Sequence, residues 1–316
     1  MRELSKEPGK TRLSKNALRE QRASYLFLIP AFLGLSIITY LPVLASFAIS
    51  FTDLNTGHFL QYGNTETLKF VGLDNFIKIF TNARFEFLNS IVVTVYYALL
   101  AVAGSIVFSL IVALLLNRKV PARGFFRAVF YIPYILPSTA VMITWYFLLM
   151  HDGPINALLS ALGLEKSLFL AKSELVVPVL ALIAVWGSGN LIVIFLAGLQ
   201  NVPRVYQEAA EIDGAGAWRR FWHITIPCMT PIIFYNLLMS LVVNLQVVVP
   251  ALAITKGGPA KASSFMTFNI YATGLKGRDL ATGSAMAFVF FIIAAIFAIV
   301  LFATSTRWIF YEGGDR

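Results

Sequence analysis

A short polar segment between two long apolar stretches carries the residues best suited to chemistry, and their types favour docking over catalysis. Glu208 and Asp213 are carboxylates, and Ala209, Ala210 and Gly214 lie beside them. A carboxylate can accept charge-assisted hydrogen bonds from an arginine of another protein. Small side chains let a helix enter a groove, and glycine permits a sharp turn. The segment is therefore a candidate docking element, although composition alone leaves open a helix that lies on a membrane for stability.

The flanking residues predict that this segment is helical. Asn201 followed by Val202-Pro203 is typical of a helix start, with asparagine as the cap and proline in the first turn. Residues 204–213 are good helix formers. Gly214 fits a left-handed residue just past the helix end.

A second amphipathic stretch follows the predicted helix. Trp218, Phe221 and Trp222 share one helix face, while the arginines between them point elsewhere. Aromatic rings with adjacent arginines are typical of the headgroup boundary of a membrane. We expect residues 200–227 to form a loop at a membrane surface.

Another set of polar residues forms a stripe on an otherwise apolar stretch. Asn236, Ser240 and Asn244 are spaced at i, i+4 and i+8, which places them on one face of a helix. A polar group that faces lipid loses water without replacement, so we expect the stripe to face a helix bundle or a wet cavity. It can serve either as hydrogen bonding between helices or as a binding surface for a polar solute.

A smaller polar pair lies in the preceding apolar stretch. Trp186 and Asn190 are spaced at i and i+4, with Gly187-Ser188-Gly189 between them. An aromatic face with an amide can contact a polar solute. The glycines can either let two helices approach closely or unwind a helix beside a binding site.

The sequence shows none of the metal-ligand or phosphate-binding motifs considered below. His58, His151 and His223 lie on different loops and form no metal-ligand pair, and Cys228 is the single cysteine. Gly9-Lys10-Thr11 lacks the spacing and strand of a phosphate-binding loop. A membrane-embedded enzyme therefore finds no support. An ion-coupled carrier remains the alternative function, although such carriers usually bury ionisable groups in their spans.

Composition predicts an all-α membrane protein. The chain has 316 residues, of which 58% are hydrophobic and 13% are charged. A helix needs about 20 apolar residues to cross the hydrocarbon core. Six stretches free of Asp, Glu, Lys and Arg qualify: 25–51, 88–116, 128–150, 175–199, 228–254 and 281–306. The uncharged run from Gly153 to Leu164 is too short to span and is predicted to be interfacial.

The distribution of basic residues predicts the orientation. Sixteen of the 25 Lys and Arg residues lie in the two termini and in loops 118–127 and 200–227. The positive-inside rule therefore places these segments in the cytoplasm, although the loop at 255–280 holds four basic residues. Residues 1–24 read as a disordered basic tail near anionic lipid, residues 25–311 as one membrane domain, and residues 312–316 as a cytoplasmic C-terminus. Because the basic residues are concentrated on the predicted cytoplasmic side of the membrane, the net charge of +9 does not indicate a nucleic-acid partner.

The docking segment resembles a known signature. Glu208-Ala209-Ala210-Glu211-Ile212-Asp213-Gly214-Ala215, followed by Ile224-Thr225-Ile226-Pro227, is similar to the EAA signature of permease subunits of binding-protein-dependent ABC importers. Ile226 stands where leucine is more common. Three further segments resemble the carbohydrate branch of that family, with maltose-type and glycerol-phosphate-type permeases: Phe70 to Phe76, Arg127 to Pro137, and Thr255 to Pro259.

This resemblance implies the type I importer fold of six membrane helices in a bacterial or archaeal cell membrane. It implies a second homologous permease, an extracytoplasmic sugar-binding protein, and two ATPase subunits that bind ATP and Mg²⁺ in place of this chain. It also implies that the loop helix enters a cleft in the ATPase, a role carried by Glu208, Ala209, Ala210, Asp213 and Gly214.

The resemblance further implies a sugar site on the two helices that flank the loop. Gly187, Ser240 and Asn244 lie at matching distances from Glu208. Trp186 and Asn190 differ from the maltose pattern, which leaves the sugar open.

Overall fold

The computed structural model describes residues 15–56, 68–118 and 121–310, with side chains from residue 23 onward. Within these ranges the chain is helical, apart from connecting segments and one antiparallel bridge between Thr52 and Phe70. Several features named from the sequence lie outside the described residues. They are the tail before residue 15 with Gly9-Lys10-Thr11, His58, and the predicted C-terminus at 312–316.

Six membrane spans account for most of the described chain. Four are uninterrupted helical runs: Ala23–Ile49, Ala83–Asn117, Ala217–Leu245 and Leu280–Trp308, here spans one, two, five and six. Two further spans are bent pairs of helices: Arg123–Ile135 with Ser138–Ala161, and Ser173–Trp186 with Gly189–Asn201, here spans three and four. The all-α class is confirmed for the described residues, and the predicted count of six agrees with four long helices and two bent pairs if each pair forms one span.

The bend in span three is explained by proline. The two helices meet at 99°, and Pro137 precedes the second of them. Leu136, the residue before Pro137, has an extended backbone, as the clash with a proline ring requires. Pro133, by contrast, lies inside the first helix and is buried.

The bend in span four comes from the glycine-rich segment. Its two helices meet at 49°, with Gly187 and Ser188 at the break. Gly189 allows a close crossing instead, because a Cβ there would lie 2.5 Å from the carbonyl oxygen of Phe130 in span three. The two roles that the sequence left open are thus divided between neighbouring glycines.

Span two lies at the centre of the bundle and packs against spans four and five. Ala101 and Ala113 are fully buried on it, and small residues permit the close helix packing that a membrane bundle needs. A hydrogen bond of 2.9 Å joins Ser109 Oγ to Ser188 Oγ at the break of span four. The break is therefore fixed directly to the central helix.

Polar contacts join the span ends at the membrane boundary opposite the loop helix. Asn75 donates hydrogen bonds to the carbonyl oxygens of Ser50 and Thr52, at 2.9 and 2.7 Å. Lys78 Nζ lies 3.1 Å from Asp279 Oδ2, immediately before span six. These contacts join the first and last spans through the segment between spans one and two.

The run predicted to be interfacial forms a short helix, Pro154–Ala161, which a turn separates from the helix Ser138–Leu149 at the end of span three. The buried side chain of Asn156 donates to the carbonyl oxygens of Met150 and Ser167 and accepts from the Ser167 amide. On the exposed side, the hydrogen bond and charge of Lys166 lower the pKa of Asp152. The helix has only eight residues, in agreement with the prediction that this run is too short to span the membrane.

Three predicted boundaries were wrong. The first helix begins at Lys15, inside the predicted disordered tail, because the helix-forming residues before span one extend it. Span five was predicted over 228–254, but it begins at Ala217 and ends at Leu245. A π-helical turn over Phe221–Thr225 lets the helix continue past Pro227. At the other end, Pro250 cannot donate a hydrogen bond to the Gln246 carbonyl, which favours a break in the helix there.

Candidate functional site

The loop helix, Arg204–Ile212, is followed by a capping motif that matches the sequence prediction. The Ala215 amide donates to the Ala210 carbonyl at 2.8 Å, and the Gly214 amide donates to the Glu211 carbonyl at 3.0 Å. Gly214 has a φ of +76°, the left-handed conformation that this motif places just past a helix end. The predicted helix and its terminal glycine are confirmed.

The predicted helix start was wrong in one respect. Asn201 is the last residue of the second helix of span four, and Pro203 occupies the cap position of the loop helix without a side-chain hydrogen bond. Val202 before the proline is extended, so the cap of the loop helix lies at Pro203, two residues later than predicted. A link of only two residues therefore connects span four to the loop helix.

Two side-chain contacts fix the loop helix to the start of span five. Gln207 Nε2 donates to Thr225 Oγ1 at 3.2 Å, and Glu211 forms an ion pair with Arg220. Gln207 and Glu211 are four residues apart and lie on one face of the loop helix. That face is turned inward, and the remaining faces are left for other contacts.

The outward face of the loop helix combines apolar side chains with a carboxylate. Val205 is 71% exposed and Ile212 is 87% exposed, with Glu208 and Ala209 exposed between them. Asp213 and Gly214 are exposed beyond the helix end. No cation among the described residues lies within ion-pairing distance of Glu208. The surface is thus suited to a partner with an apolar groove and a basic group.

Val205 and Ile212 were missed by the sequence analysis. Their spacing with Ala209, at i, i+4 and i+7, is the ordinary pattern of an apolar helix face. That pattern normally indicates a buried face, and only the structure shows that this one is exposed.

The aromatic stretch after the loop helix also matches its prediction. The ring centroids of Trp218, Phe221 and Trp222 lie 5.1 to 6.0 Å apart. Trp218 is 73% exposed, and rings of this kind anchor a helix at the headgroup boundary. The predicted shared face of the three rings is confirmed, and their role as a membrane anchor stays a prediction.

The polar stripe on span five faces the bundle, as predicted. Asn236 is completely buried, and Ser240 is nearly so. Asn244 Nδ2 donates to the Ser240 carbonyl at 2.8 Å and lies 3.2 Å from Ser240 Oγ. The amide of Asn236 has no hydrogen-bond partner on either its nitrogen or its oxygen among the described residues. A buried amide without partners is unfavourable, which marks Asn236 as the least satisfied member of the stripe.

The continuous helical spacing predicted for Trp186 and Asn190 was wrong, and their place on a substrate path stays a prediction. The helix breaks between them, so a spacing of four residues no longer places them on one face. Trp186 is 40% exposed and packs against Trp145 at 5.5 Å. No hydrogen bond among the described residues joins either residue to the span-five stripe. Gly187 between them has an ordinary φ of −77°.

Asn244→Leu tests whether the stripe contributes to solute passage. The substitution removes the donor to Ser240 and replaces a polar surface by an apolar one. We expect solute transport to fall by about tenfold, which corresponds to the roughly 1.4 kcal/mol of one good polar contact. Transport in vesicles and assembly with partner proteins are both measured, and assembly is expected to be unchanged.

The matched control is Val243→Leu, because Val243 is the preceding residue and its side chain is exposed. Equal transport by the Asn244 and Val243 variants, for every solute tested, would assign Asn244 to helix packing alone.

The sequence matches the model of a protein family over residues 105–311, and that family is described as the binding-protein-dependent transport system inner membrane component. Similar curated proteins include the probable ABC transporter permease protein YesP of Bacillus subtilis, which is 35% identical with 96% of each chain covered. The trehalose/maltose transport system permease protein MalF of Thermococcus litoralis is 32% identical, with 91% of this chain and 95% of that protein covered.

The fold is also similar to a solved structure. A chain of a bacterial ABC transporter involved in the import of the acidic polysaccharide alginate superposes with a TM-score of 0.76 at 21% identity. The match covers 92% of this chain and 98% of that one. The likeness extends over nearly the whole bundle.

Proposed function

This chain belongs to the family of binding-protein-dependent transport system inner membrane components, and from that premise we propose that it is a permease subunit of an ATP-driven importer of carbohydrate. In this role it forms one half of the translocation pathway and docks an ATPase. The loop helix carries the proposal, because an exposed face with apolar side chains and an unpaired carboxylate is the surface that such docking requires.

The proposed partners follow from the family and from the names of the relatives. We propose a second, homologous permease, two ATPase subunits that bind ATP and Mg²⁺, and an extracytoplasmic sugar-binding protein. The solved alginate transporter has been crystallised in complex with a pentasaccharide-bound periplasmic protein, which supports the last of these. ATP hydrolysis belongs to the ATPase, and this subunit is not an enzyme.

Carbohydrate is the proposed cargo because relatives of this chain are named for sugars. They include permeases for trehalose and maltose, and for starch degradation products. The amide and hydroxyl groups of Asn236, Ser240 and Asn244 can form hydrogen bonds with a sugar. The described parts of the six spans offer few charges, which supports a polar solute and disfavours the ion-coupled alternative.

The proposed orientation follows the positive-inside rule. The loop helix lies on the same side as the basic loop before span three, and we place both in the cytoplasm, together with the two termini. The protein is then a multi-pass component of the cell membrane whose loop helix faces the ATPase.

The proposed mechanism is a rigid-body push. When the ATPase closes, it moves the loop helix, and the Glu211–Arg220 and Gln207–Thr225 contacts carry that movement into span five. The link of two residues carries it into span four. Because the polar stripe lies on span five, motion of the loop helix shifts the stripe relative to span two.

A reconstituted importer tests the proposal directly. Detergent extracts should yield this chain with an ATPase, and vesicles that contain the complex should take up sugar only with ATP and the binding protein. If the purified chain alone accumulates a solute against a gradient, the carrier is the correct function.

Glu208→Lys is expected to weaken ATPase binding by about tenfold or more, since it places like charges together where a carboxylate pairs with a cation. ATPase binding to the solubilised permease and ATP-driven uptake are measured. The control is Glu174→Lys, an exposed acid in the first turn of span four at the opposite boundary. Equal ATPase affinity in the two variants would contradict docking through Glu208.

A further inference from the structure

A cavity of about 190 Å³ lies where spans two, three and four meet, on the side of the loop helix. Leu116 lies near the end of span two, and Gln200 lies in the last turn of span four, four residues before the loop helix begins. Leu116, Ile192 and Leu196 supply apolar wall. The cavity is therefore at the membrane boundary and away from the middle of the bundle.

Three residues make part of the wall polar and basic. Arg127, Tyr131 and Gln200 line the cavity. The Nε atom of Arg127 is buried without a hydrogen-bond partner among the described residues, and so is that of Arg123 one turn earlier on the same helix. A buried guanidinium Nε–H without an acceptor is unfavourable, and that of Arg127 in the cavity wall favours an anionic acceptor there.

The size of the cavity limits what enters it. Pockets for drug-sized ligands have volumes of about 300–1,000 Å³, so 190 Å³ accommodates a smaller group. A neutral sugar has no charge to pair with the arginines. A phosphate group fits the planar, two-donor edge of a guanidinium, and the apolar wall fits the first part of an acyl chain.

We infer that this cavity binds the phosphate group of an anionic phospholipid, with Arg127 as its main contact. Basic pockets between membrane helices bind anionic headgroups in this way. Arg123 and the start of the first helix of span three add positive potential, because unpaired amides point toward the boundary at a helix start. The lipid bridges spans three and four.

The position of the bound lipid gives it a mechanical role. The second helix of span four runs from the cavity to the loop helix through a two-residue link. A lipid that holds this helix against span three also fixes the base of the loop helix. We therefore expect anionic lipid to stabilise the permease and to strengthen its association with the ATPase. The effect on ATPase association rests on the proposed function, whereas the lipid site itself does not.

The test measures thermal stability of the complete, delipidated importer with added probes. Short-chain phosphatidylglycerol should raise the unfolding midpoint of the wild type by several degrees, and short-chain phosphatidylcholine should not. Arg127→Gln should lose most of this shift. The control Arg278→Gln, at an exposed arginine on the opposite boundary, should keep it. Ala197→Phe, which fills the cavity from its wall, tests the site independently if the Arg127 variant folds poorly.

The outcomes separate the sources of phosphate. A full shift produced by inorganic phosphate alone would overturn the lipid assignment, as would equal responses of the Arg127→Gln and Arg278→Gln variants to phosphatidylglycerol. Native mass spectrometry should show anionic lipid retained by the wild type and depleted several-fold in Arg127→Gln. Sugar uptake is measured separately, so that failure of the lipid site is distinguished from failure of the proposed transport function.

Discussion

Gly214→Val is expected to uncouple sugar uptake from ATP hydrolysis while the protein remains folded in the membrane. Gly214 has a φ of +76°, and a side chain in the left-handed region costs about 1–2 kcal/mol, with a β-branched residue at the upper end or beyond. No atom lies within 4 Å of a Cβ placed there, so the effect is one of backbone conformation. We expect uptake to fall by about tenfold or more, as measured in vesicles that contain the assembled importer.

Two controls isolate this conformational cause. Gly216 also has open space around a Cβ, but its backbone is extended, with φ −64° and ψ 162°, so Gly216→Val should be nearly silent. Gly214→Asn should be intermediate, because asparagine tolerates the left-handed region better than valine does. If Gly214→Val and Gly216→Val support equal uptake, the capping motif does not position the docking surface.

Sequence patterns predicted the bundle well, because apolar length and charge asymmetry are large signals. The six predicted apolar stretches correspond to four long helices and two bent pairs of helices. Gly214 was assigned correctly, since a left-handed position after a helix strongly favours glycine. The resemblance at Glu208 to Gly214 identified the family, which the match over residues 105–311 confirms. These features depend on local sequence, where the physical rules are strongest.

The sequence predictions failed where one residue acted on its neighbours. Asn201 is a residue type that often caps helices, yet the restriction that Pro203 places on Val202 moved the cap by two residues, to Pro203. Trp186 and Asn190 have helical spacing, yet Gly187 and Ser188 break the helix between them. Periodicity assumes an unbroken helix, so it cannot detect such a break.

Burial was the other limit of sequence analysis. The face of Val205, Ala209 and Ile212 has the pattern of a core helix, and its exposure depends on how Gln207 and Glu211 are bound to span five. Likewise, the stripe of Asn236, Ser240 and Asn244 was predicted to face inward, but spacing cannot show that one amide finds a partner and another does not. The least satisfied residue emerges only from packing.

Asn236→Leu is expected to stabilise the protein while impairing transport. The amide of Asn236 is completely buried and has no hydrogen-bond partner among the described residues. One unsatisfied buried polar group costs about 1–3 kcal/mol, so leucine, of similar size, should raise the unfolding midpoint in detergent by a few degrees. Natural sequences depart from local rules mainly at functional sites, and we therefore expect sugar uptake to fall by about tenfold.

The control is Asn269→Leu, because Asn269 is a buried asparagine whose amide is satisfied. Its Nδ2 donates to the Phe85 carbonyl at 2.6 Å and to Ser90 Oγ at 2.9 Å. The substitution by leucine removes this donor from the Phe85 carbonyl and from Ser90 Oγ. It should therefore lower the free energy of unfolding by about 1–3 kcal/mol. Opposite signs at the two asparagines, with uptake lost at Asn236 despite higher stability, would assign its amide to transport. Lower stability of Asn236→Leu, or full uptake by it, would contradict that role.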